Sequence, residues 1–407
     1  MKKFSLVLSL LIMISFFGSA YAAEQAKIGI ALPVSGVVGA YAVDMKRGSE
    51  MAVEEFNKAG GIFGQPVKML VRDSEMKGDV ALRRFKEMVE QENLSVIAGN
   101  LSGGVSLVVN EWACKNDLLY VAFCHTSNTW YTEFCKSGFV SGLLSYQSGE
   151  AMAKYAFENL GKKWMFIGWD YRWGWDNLRG WLYQSKKHGA EFQGAIYIPV
   201  ATTDFSALIP QIMQKKPDVL AMAVAGKGLV SAIKQFAEVG LNKKMKIALC
   251  KAQLISNNEL GSLYDENIYG VTTFYWTLQD YYENARPFIK KFKDKYGRVP
   301  TADVDAAYTG TRAILEAMQR TGTASNVPKL VSFLEGYAFQ YNKGPEAFRA
   351  CDHARTESLF IVKGKGKKAK EWDCADIVDE IPYWKTMRTC EDNAQGIPYA
   401  QIPLPGK

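Results

Sequence analysis

Apolar residues along this chain recur with two periods, and the change from one to the other is clearest between Lys27 and Ser74. Ile28, Ile30 and Leu32 make a short apolar run stopped by Pro33, while Val67, Met69 and Val71 alternate with polar neighbours. Both patterns predict β-strands. Between them Met45, Gly48, Ala52, Phe56 and Ala59 recur at three- and four-residue steps, and Gly60-Gly61 supplies the positive-φ residue that ends a helix. Strand, crossover helix and strand in one unit predict parallel pairing, with the helix lying on the sheet. The loop before the helix, Val34 to Ala40, holds the small residues Ser35, Gly36 and Gly39. Unpaired backbone N–H groups at such a helix start attract carboxylates.

The same alternation continues. Asp79 is expected to cap a helix carrying Ala81, Leu82, Phe85, Met88 and Val89, followed by a strand from Leu94 to Gly99. Asn100 to Gly104 opens a helix with Val105, Val108, Val109 and Trp112; Leu118 to Phe123 is a buried strand leading into Cys124-His125-Thr126-Ser127-Asn128. Small polar residues thus follow three successive strands. Ligands of open α/β sheets bind beyond the carboxyl ends of the strands, so these loops are expected to converge. A second series begins after Gly138. Ser148 is expected to cap a helix reaching Gly161, Trp164 to Trp169 reads as a strand, and a loop from Asp170 to Trp175 precedes a helix to Gly189. Strands are expected at Ala195–Val200, Val219–Val224 and Ile247–Cys250, with helices around Phe205–Lys216 and Leu229–Val239. After a strand at Asn267–Thr273, helices at Arg286–Tyr296 and Ala302–Arg320 carry apolar positions that return the chain to the first unit.

A chain of 407 residues exceeds the usual size of one hydrophobic core, so two lobes are expected. The formal charge of +7 comes from 49 Lys+Arg against 42 Asp+Glu, and no basic cluster is interleaved with aromatics, so nucleic acid is not an expected partner. The densest positive run, Lys363 to Lys370, reads as a solvated hairpin turn. At the N-terminus, Lys2-Lys3, the uncharged stretch Phe4 to Phe17 and Ala20-Tyr21-Ala22 have the layout of a cleaved secretory signal over residues 1–22. Its apolar run is too short for a membrane span. Its removal takes two lysines and no acid, +7 − 2 = +5, and no cysteine near the cleavage site suggests a lipid anchor. Of the seven cysteines, one bridge is expected between Cys114 and Cys135 and one among Cys351, Cys374 and Cys390, with at least one thiol left free. A zinc site on Cys351 and His353 lacks a second ligand pair, so neither a metal nor a cofactor is expected. Three scattered histidines and no Gly-x-Ser-x-Gly elbow leave a hydrolase without a nucleophile and base.

Several segments carry a resemblance. Leu32-Pro33-Val34-Ser35-Gly36, the run Ala52 to Gly64 with its Asn57-Lys58-Ala59-Gly60-Gly61-Ile62-Phe63-Gly64, Arg72-Asp73-Ser74, and Tyr296-Gly297-Arg298-Val299-Pro300 resemble the leucine/isoleucine/valine-binding family of type I periplasmic solute-binding proteins. The resemblance covers nearly the whole chain after residue 22. It implies an α/β fold of two doubly wound, Rossmann-like lobes joined by hinge strands and closing on a ligand like a flytrap. Residues 23–143 with 276–350 would form lobe I, and residues 144–275 with 351–407 lobe II with a C-terminal extension. It implies a monomeric receptor that hands a small molecule to an ABC transporter permease and performs no catalysis. A sensory protein of similar fold is the remoter alternative.

Carried over by position, the resemblance implies that Ser35, Gly36, Leu101, Ser102, His125 and Thr126 hold a ligand carboxylate from the first lobe with hydroxyls and backbone amides. Ser102 reads equally as a plain helix N-cap, and His125 more readily as a packed wall residue than as a direct contact. The second lobe would supply an aromatic ring before Gly174, here Trp173, on the loop after its strand and within the cluster Trp169, Tyr171, Trp173, Trp175 and Trp181; Tyr275 and Trp276 would form a back wall. One departure stands out. Where amino-acid receptors of this family commonly place an acid for the ligand ammonium, this chain has Cys250-Lys251-Ala252-Gln253. Lys251 in the cleft would favour an anion, and Lys251 as a solvated surface residue would leave the choice open. An amino acid and an aromatic or other organic acid both remain as expected ligands.

Overall fold

The computed structural model describes residues 24–124, 135–391 and 403–406, so the leader and the loop carrying His125 and Thr126 lie outside the described residues. Two sheets organise the chain. The first contains β1 (Lys27–Leu32), β2 (Lys68–Asp73), β3 (Val96–Gly99), β4 (Leu119–Ala122) and β5 (Gly138–Val140), all parallel, in the order β2-β1-β3-β4-β5. Helices α1 (Gly39–Lys58), α2 (Gly78–Glu92) and α3 (Gly103–Lys115) cross over between its strands. The second sheet has β6 (Lys163–Trp169), β7 (Glu191–Ile198), β8 (Val219–Ala223), β9 (Lys246–Leu249) and β10 (Ile268–Thr272) in parallel. Its helices are α4 (Ser145–Asn159), α5 (Arg172–His188), α6 (Ile209–Lys215), α7 (Gly226–Glu238) and α8 (Leu254–Leu260). Then α9 (Ala285–Tyr296), α10 (Ala302–Thr321) and α11 (Val327–Leu334) follow, with the short pair β11 (Ala338–Phe339) and β12 (Glu346–Ala347). The antiparallel hairpin β13 (Leu359–Gly364) and β14 (Ala375–Ile381) extends the second sheet to the order β14-β13-β10-β9-β8-β6-β7.

Helices on both faces bury these strands on both sides, so alternation sorts their apolar residues between two cores rather than between core and water. On the first sheet, Ile28, Ile30, Val96 and Val121 face α1 and α10, where Met45, Ile314 and Met318 meet them. Ala31, Ile97 and Tyr120 face α2 and α3, against Phe85, Met88 and Val109. In the second, Met165, Ile167 and Leu220 pack on Ile233 and Phe236 of α7, while Trp164, Phe166 and Ala221 pack on Phe157 and Trp181.

The segments that carry the family resemblance have structural tasks. The Asn57 side chain accepts from the Val67 N–H at 2.7 Å and donates to the Val67 carbonyl, pinning the start of β2 beneath the end of α1. Gly61 has φ +79°, and a Cβ there would stand 2.0 Å from the Gln65 carbonyl oxygen. Only glycine fits that turn. Arg298 pairs with the buried Asp44 of α1, whose other oxygen accepts from the Thr301 hydroxyl at 2.9 Å. Burial pushes the Asp44 carboxyl up against the pull of Arg298.

Local assignments shift in four places. Asp79, expected as a cap, is the second residue of α2, whose N-cap is Lys77. Ser148, expected as a cap, lies inside α4 and donates to the Ser145 carbonyl and to Asn177. Trp173, expected on a loop, is the second residue of α5, because the chain turns helical directly after Tyr171. The strand expected from Ala195 begins earlier, at Glu191. The lysine-rich run does sit at the β13–β14 turn, where Lys365 pairs with Asp373 and Asp376. Bridges join Cys114 to Cys135 and Cys351 to Cys390, and Cys124, Cys250 and Cys374 are free. Among the described residues, no helix is long and apolar enough to cross a membrane.

Three segments pass between the lobes: the one from β5 to α4, the one leaving β10, and the one between Arg355 and β13. Ala354 still pairs with Val140 at the edge of the first sheet, and Arg355 with Phe348. A buried cluster of charged side chains, Lys343 and Arg355 with Asp305, Glu346 and Glu357, ties the three together. Lys343 donates to the Thr273 carbonyl at 2.7 Å, Arg355 to the Ser141 carbonyl at 3.0 Å, and Glu357 stands within 3.4 Å of Lys343 and 3.6 Å of Arg355. Burial raises the Glu357 carboxyl above its ordinary range, whereas for Asp305 the nearby Arg355 and Lys343 overcome burial and lower it.

Candidate functional site

Between the two sheets lies a cavity whose interior open to water is about 60 Å³, within about 740 Å³ of space that includes its mouth. Its walls come from the carboxyl ends of strands in both lobes, where the crossover geometry leaves loops and helix starts unoccupied by sheet packing. Leu101 and Gly103 follow β3, Phe123 and Cys124 follow β4, Trp169 ends β6, Ala225 follows β8, Lys251 and Gln253 follow β9, and Thr273 follows β10. Val38 and Tyr41 enter from the start of α1, and Ala302, Asp303 and Ala306 from the start of α10.

Aromatic rings form one side. Trp169, Tyr171 and Trp173 stand with ring centroids 5.8 to 6.4 Å apart, in tilted and edge-on arrangements. Their mutual packing leaves a broad apolar surface of the kind that accepts an aliphatic or aromatic body. Gly174 is required beneath them, since a Cβ there would stand 2.1 Å from the Trp169 carbonyl oxygen. The Cys124 thiol is pushed up to about 12 by burial, so it is neutral at physiological pH and acts as an apolar wall.

The charged pair of the cavity spans the lobes. Lys251 Nζ donates to Asp303 Oδ1 at 2.9 Å, with side-chain exposures of only 17% and 5%. Burial opposes the Lys251 ammonium, yet Asp303 beside it holds its pKa above the ordinary lysine value. A second link joins the lobes where the Gly226 N–H donates to the Tyr41 hydroxyl oxygen at 3.1 Å and the same hydroxyl meets Ser256 Oγ. Two further buried polar atoms on lining residues have no hydrogen-bond partner among the described residues: the donor Trp169 Nε1 and the acceptor Gln253 Oε1.

Of the residues singled out from the sequence, Leu101, Trp173, Lys251 and Gln253 come together on this cavity. Ser102 is buried at the N-cap of α3 between two lining residues, without a side-chain capping bond, and is not itself part of the lining. Tyr275 is buried behind Gln253 and accepts from the Ala375 N–H, so it supports the wall rather than lining it. Ser35 and Gly36, expected at the cleft, are exposed and outside the lining. Ser35 instead faces Asp73. Burial alone would raise the Asp73 carboxyl, but the Glu75 N–H, which donates to it at 2.9 Å, together with the Ser35 hydroxyl and the Val34–Ser35 backbone beside it, holds it below its ordinary value. The carboxylate expected at this helix start belongs to the protein itself. Tyr41 and Asp303 were not distinguishable in the sequence, because each sits on a helix face that reads as amphipathic, with no sign of what it meets across the cleft.

Residues 25–370 match the periplasmic binding protein family. The chain belongs to that family. This makes it a periplasmic solute-binding receptor of the ABC-transporter kind, with the type I fold of two α/β lobes. It is similar to Leu/Ile/Val-binding protein homolog 1 of Brucella abortus, at 26% identity over 331 residues, 78% of this chain and 84% of the relative. In structure it resembles an amino acid ABC transporter substrate-binding protein from Pseudomonas fluorescens Pf-5, with a TM-score of 0.83 and 23% identity, covering 92% of this chain and 99% of the other. It also resembles a solute binding protein of an ABC transporter from Rhodopseudomonas palustris BisB5 in complex with 3,4-dihydroxybenzoic acid, with a TM-score of 0.80 and 18% identity, covering 88% and 98%.

Proposed function

We propose that this receptor binds one small carboxylate-bearing molecule with an apolar or aromatic body, closes its lobes over it, and delivers it to the permease of an ABC importer without catalysing a reaction. The observation that carries this reading is the cavity between the lobes, where an aromatic wall faces a buried lysine and acid contributed from opposite sides. Its interior, about 60 Å³ within about 740 Å³ of open space, is of a scale for one small molecule such as an amino acid or a benzoate-sized acid. In this reading lobe I comprises residues 23–143 with 276–350 and lobe II residues 144–275 with 356–407, residues 351–355 stay on the edge of the first sheet, and closure is a rotation about the three connecting segments. Residues 1–22 act as a cleaved export signal, and the receptor works as a monomer. The similar proteins support both ligand classes, one being described as an amino acid receptor and another being bound to a dihydroxybenzoic acid.

Native mass spectrometry of the protein as purified tests the proposal. A retained adduct of small-acid mass, released on denaturation, is the expected result. No adduct, together with no rise in Tm across a panel of amino acids and aromatic acids, would refute it.

A further inference from the structure

The aromatic wall and the cavity size serve an amino acid and an aromatic acid equally, but the polar atoms around them do not. Among the described lining residues, Lys251 and Asp303 carry the formal charges, and they sum to zero. They come from different lobes, Lys251 from the segment after β9 and Asp303 from the first turn of α10, so opening the cleft separates them. A ligand that offers only a carboxylate can take Lys251, but it then leaves the buried Asp303 without a counter-charge and beside a second anion. Buried carboxylates in that position are strongly disfavoured.

A carboxylate can bond Lys251 but not Asp303. The Asp303 carboxylate accepts only from a ligand that brings N–H or O–H donors, and of these an ammonium alone also balances its charge.

We propose that Asp303 and Lys251 together act as the charge selector of the cleft, with an amino nitrogen of the ligand on Asp303 from the first lobe and its carboxylate on Lys251 from the second. The ligand enters between the two side chains and replaces their direct bond with two of its own, so the closed site stays neutral. The acid that recognises the ammonium then lies on α10 of the first lobe, and a lysine holds the position after β9. This rests on the receptor reading above and narrows it to zwitterionic ligands.

Titration calorimetry and thermal shifts with matched probes test it: L-leucine and L-phenylalanine, their deaminated acids 4-methylpentanoate and 3-phenylpropanoate, and the corresponding amines 3-methylbutylamine and phenethylamine, with benzoate added. At least one amino acid is expected to bind at least about a hundredfold more tightly than its acid or its amine, as sites built to bond a polar group reject analogues that lack it. Asp303→Asn is expected to abolish that preference and improve relative binding of the acids, and Lys251→Met to improve that of the amines. Acids or benzoate binding the wild-type protein as tightly as the amino acids would overturn the selector while leaving the receptor reading intact. An unchanged ratio of amino acid to acid in Asp303→Asn would do the same. If that variant does not fold, the ratios in the wild-type protein decide alone. No response to any of the probes would instead strike the receptor reading, and the selector with it.

Discussion

Arg355 donates from Nη1 to the carbonyl oxygen of Ser141 at 3.0 Å, so the third crossing between the lobes is bonded to the first. The same guanidinium stands 3.0 Å from Asp305, 2.7 Å from Glu346 and 3.6 Å from Glu357, all buried. Replacing Arg355 with Met leaves these acids facing Lys343 alone. Removing one partner from such a buried cluster is expected to cost about 3–5 kcal/mol, read as a lower midpoint of urea unfolding. A loss below about 1 kcal/mol would show that the cluster does not hold the crossings together.

Tyr41 joins the lobes through its hydroxyl, which meets both the Gly226 N–H and Ser256. Tyr41→Phe keeps the ring in the cavity wall and removes only these links. At about 1 kcal/mol for a hydrogen bond, ligand affinity is expected to fall roughly fivefold while the fold's stability changes little. Small-angle scattering of the variant at sub-saturating ligand should report a larger fraction of open molecules. Equal affinity in both proteins would remove the hydroxyl from the closing step.

Trp173 lies in the first turn of α5, with Trp169 and Tyr171 as ring neighbours. If the ligand's apolar body rests on this wall, Trp173→Ala weakens binding by well over tenfold, the usual effect of losing a buried aromatic anchor. Calorimetry with the ligand found by mass spectrometry measures it. Unchanged affinity would place the ligand elsewhere in the cleft.

His353 stacks on Phe139 with centroids 4.1 Å apart and rings 4° from parallel, and its nitrogens meet the Gly138 carbonyl and Glu335. Burial lowers its pKa below the ordinary histidine value against the pull of Glu335. The unfolded chain therefore takes up a proton that the folded chain resists. Stability from this group is present above about pH 6.5 and is lost as pH falls through that value towards the folded pKa, at up to about 1.4 kcal/mol per pH unit. Tm measured from pH 7.5 to 5.5 should fall more steeply in the native protein than in His353→Gln. Parallel curves would contradict this.

The extent of the elements was legible because period and punctuation are local. Helix α9 and α10 begin and end within a residue of the positions that the spacing predicts, and β9 and β10 within a residue or so. The misjudged positions are those where a neighbour decides. Ser148 looks like a cap, yet Leu144 already has the extended backbone before α4, and the hydroxyl is used on Asn177 from α5. Trp173 looks like a loop residue because Asp170, Tyr171 and Gly174 suggest a turn, whereas the buried side of α5 draws the helix back to Arg172.

By itself, the amino-acid sequence determined the alternation of strands and helices, the two-lobed class and the helix end at Gly60-Gly61, since each depends on residues close in the chain or on its total length. Tertiary structure alone decided which polar groups confront the ligand space. Asp73 stands against Ser35 and Val34, and Lys251 meets Asp303 across the cleft. The physical reason is that a carboxylate or an ammonium attracts whichever opposite charge the folded chain brings within about 4 Å, and separation along the sequence does not enter that energy.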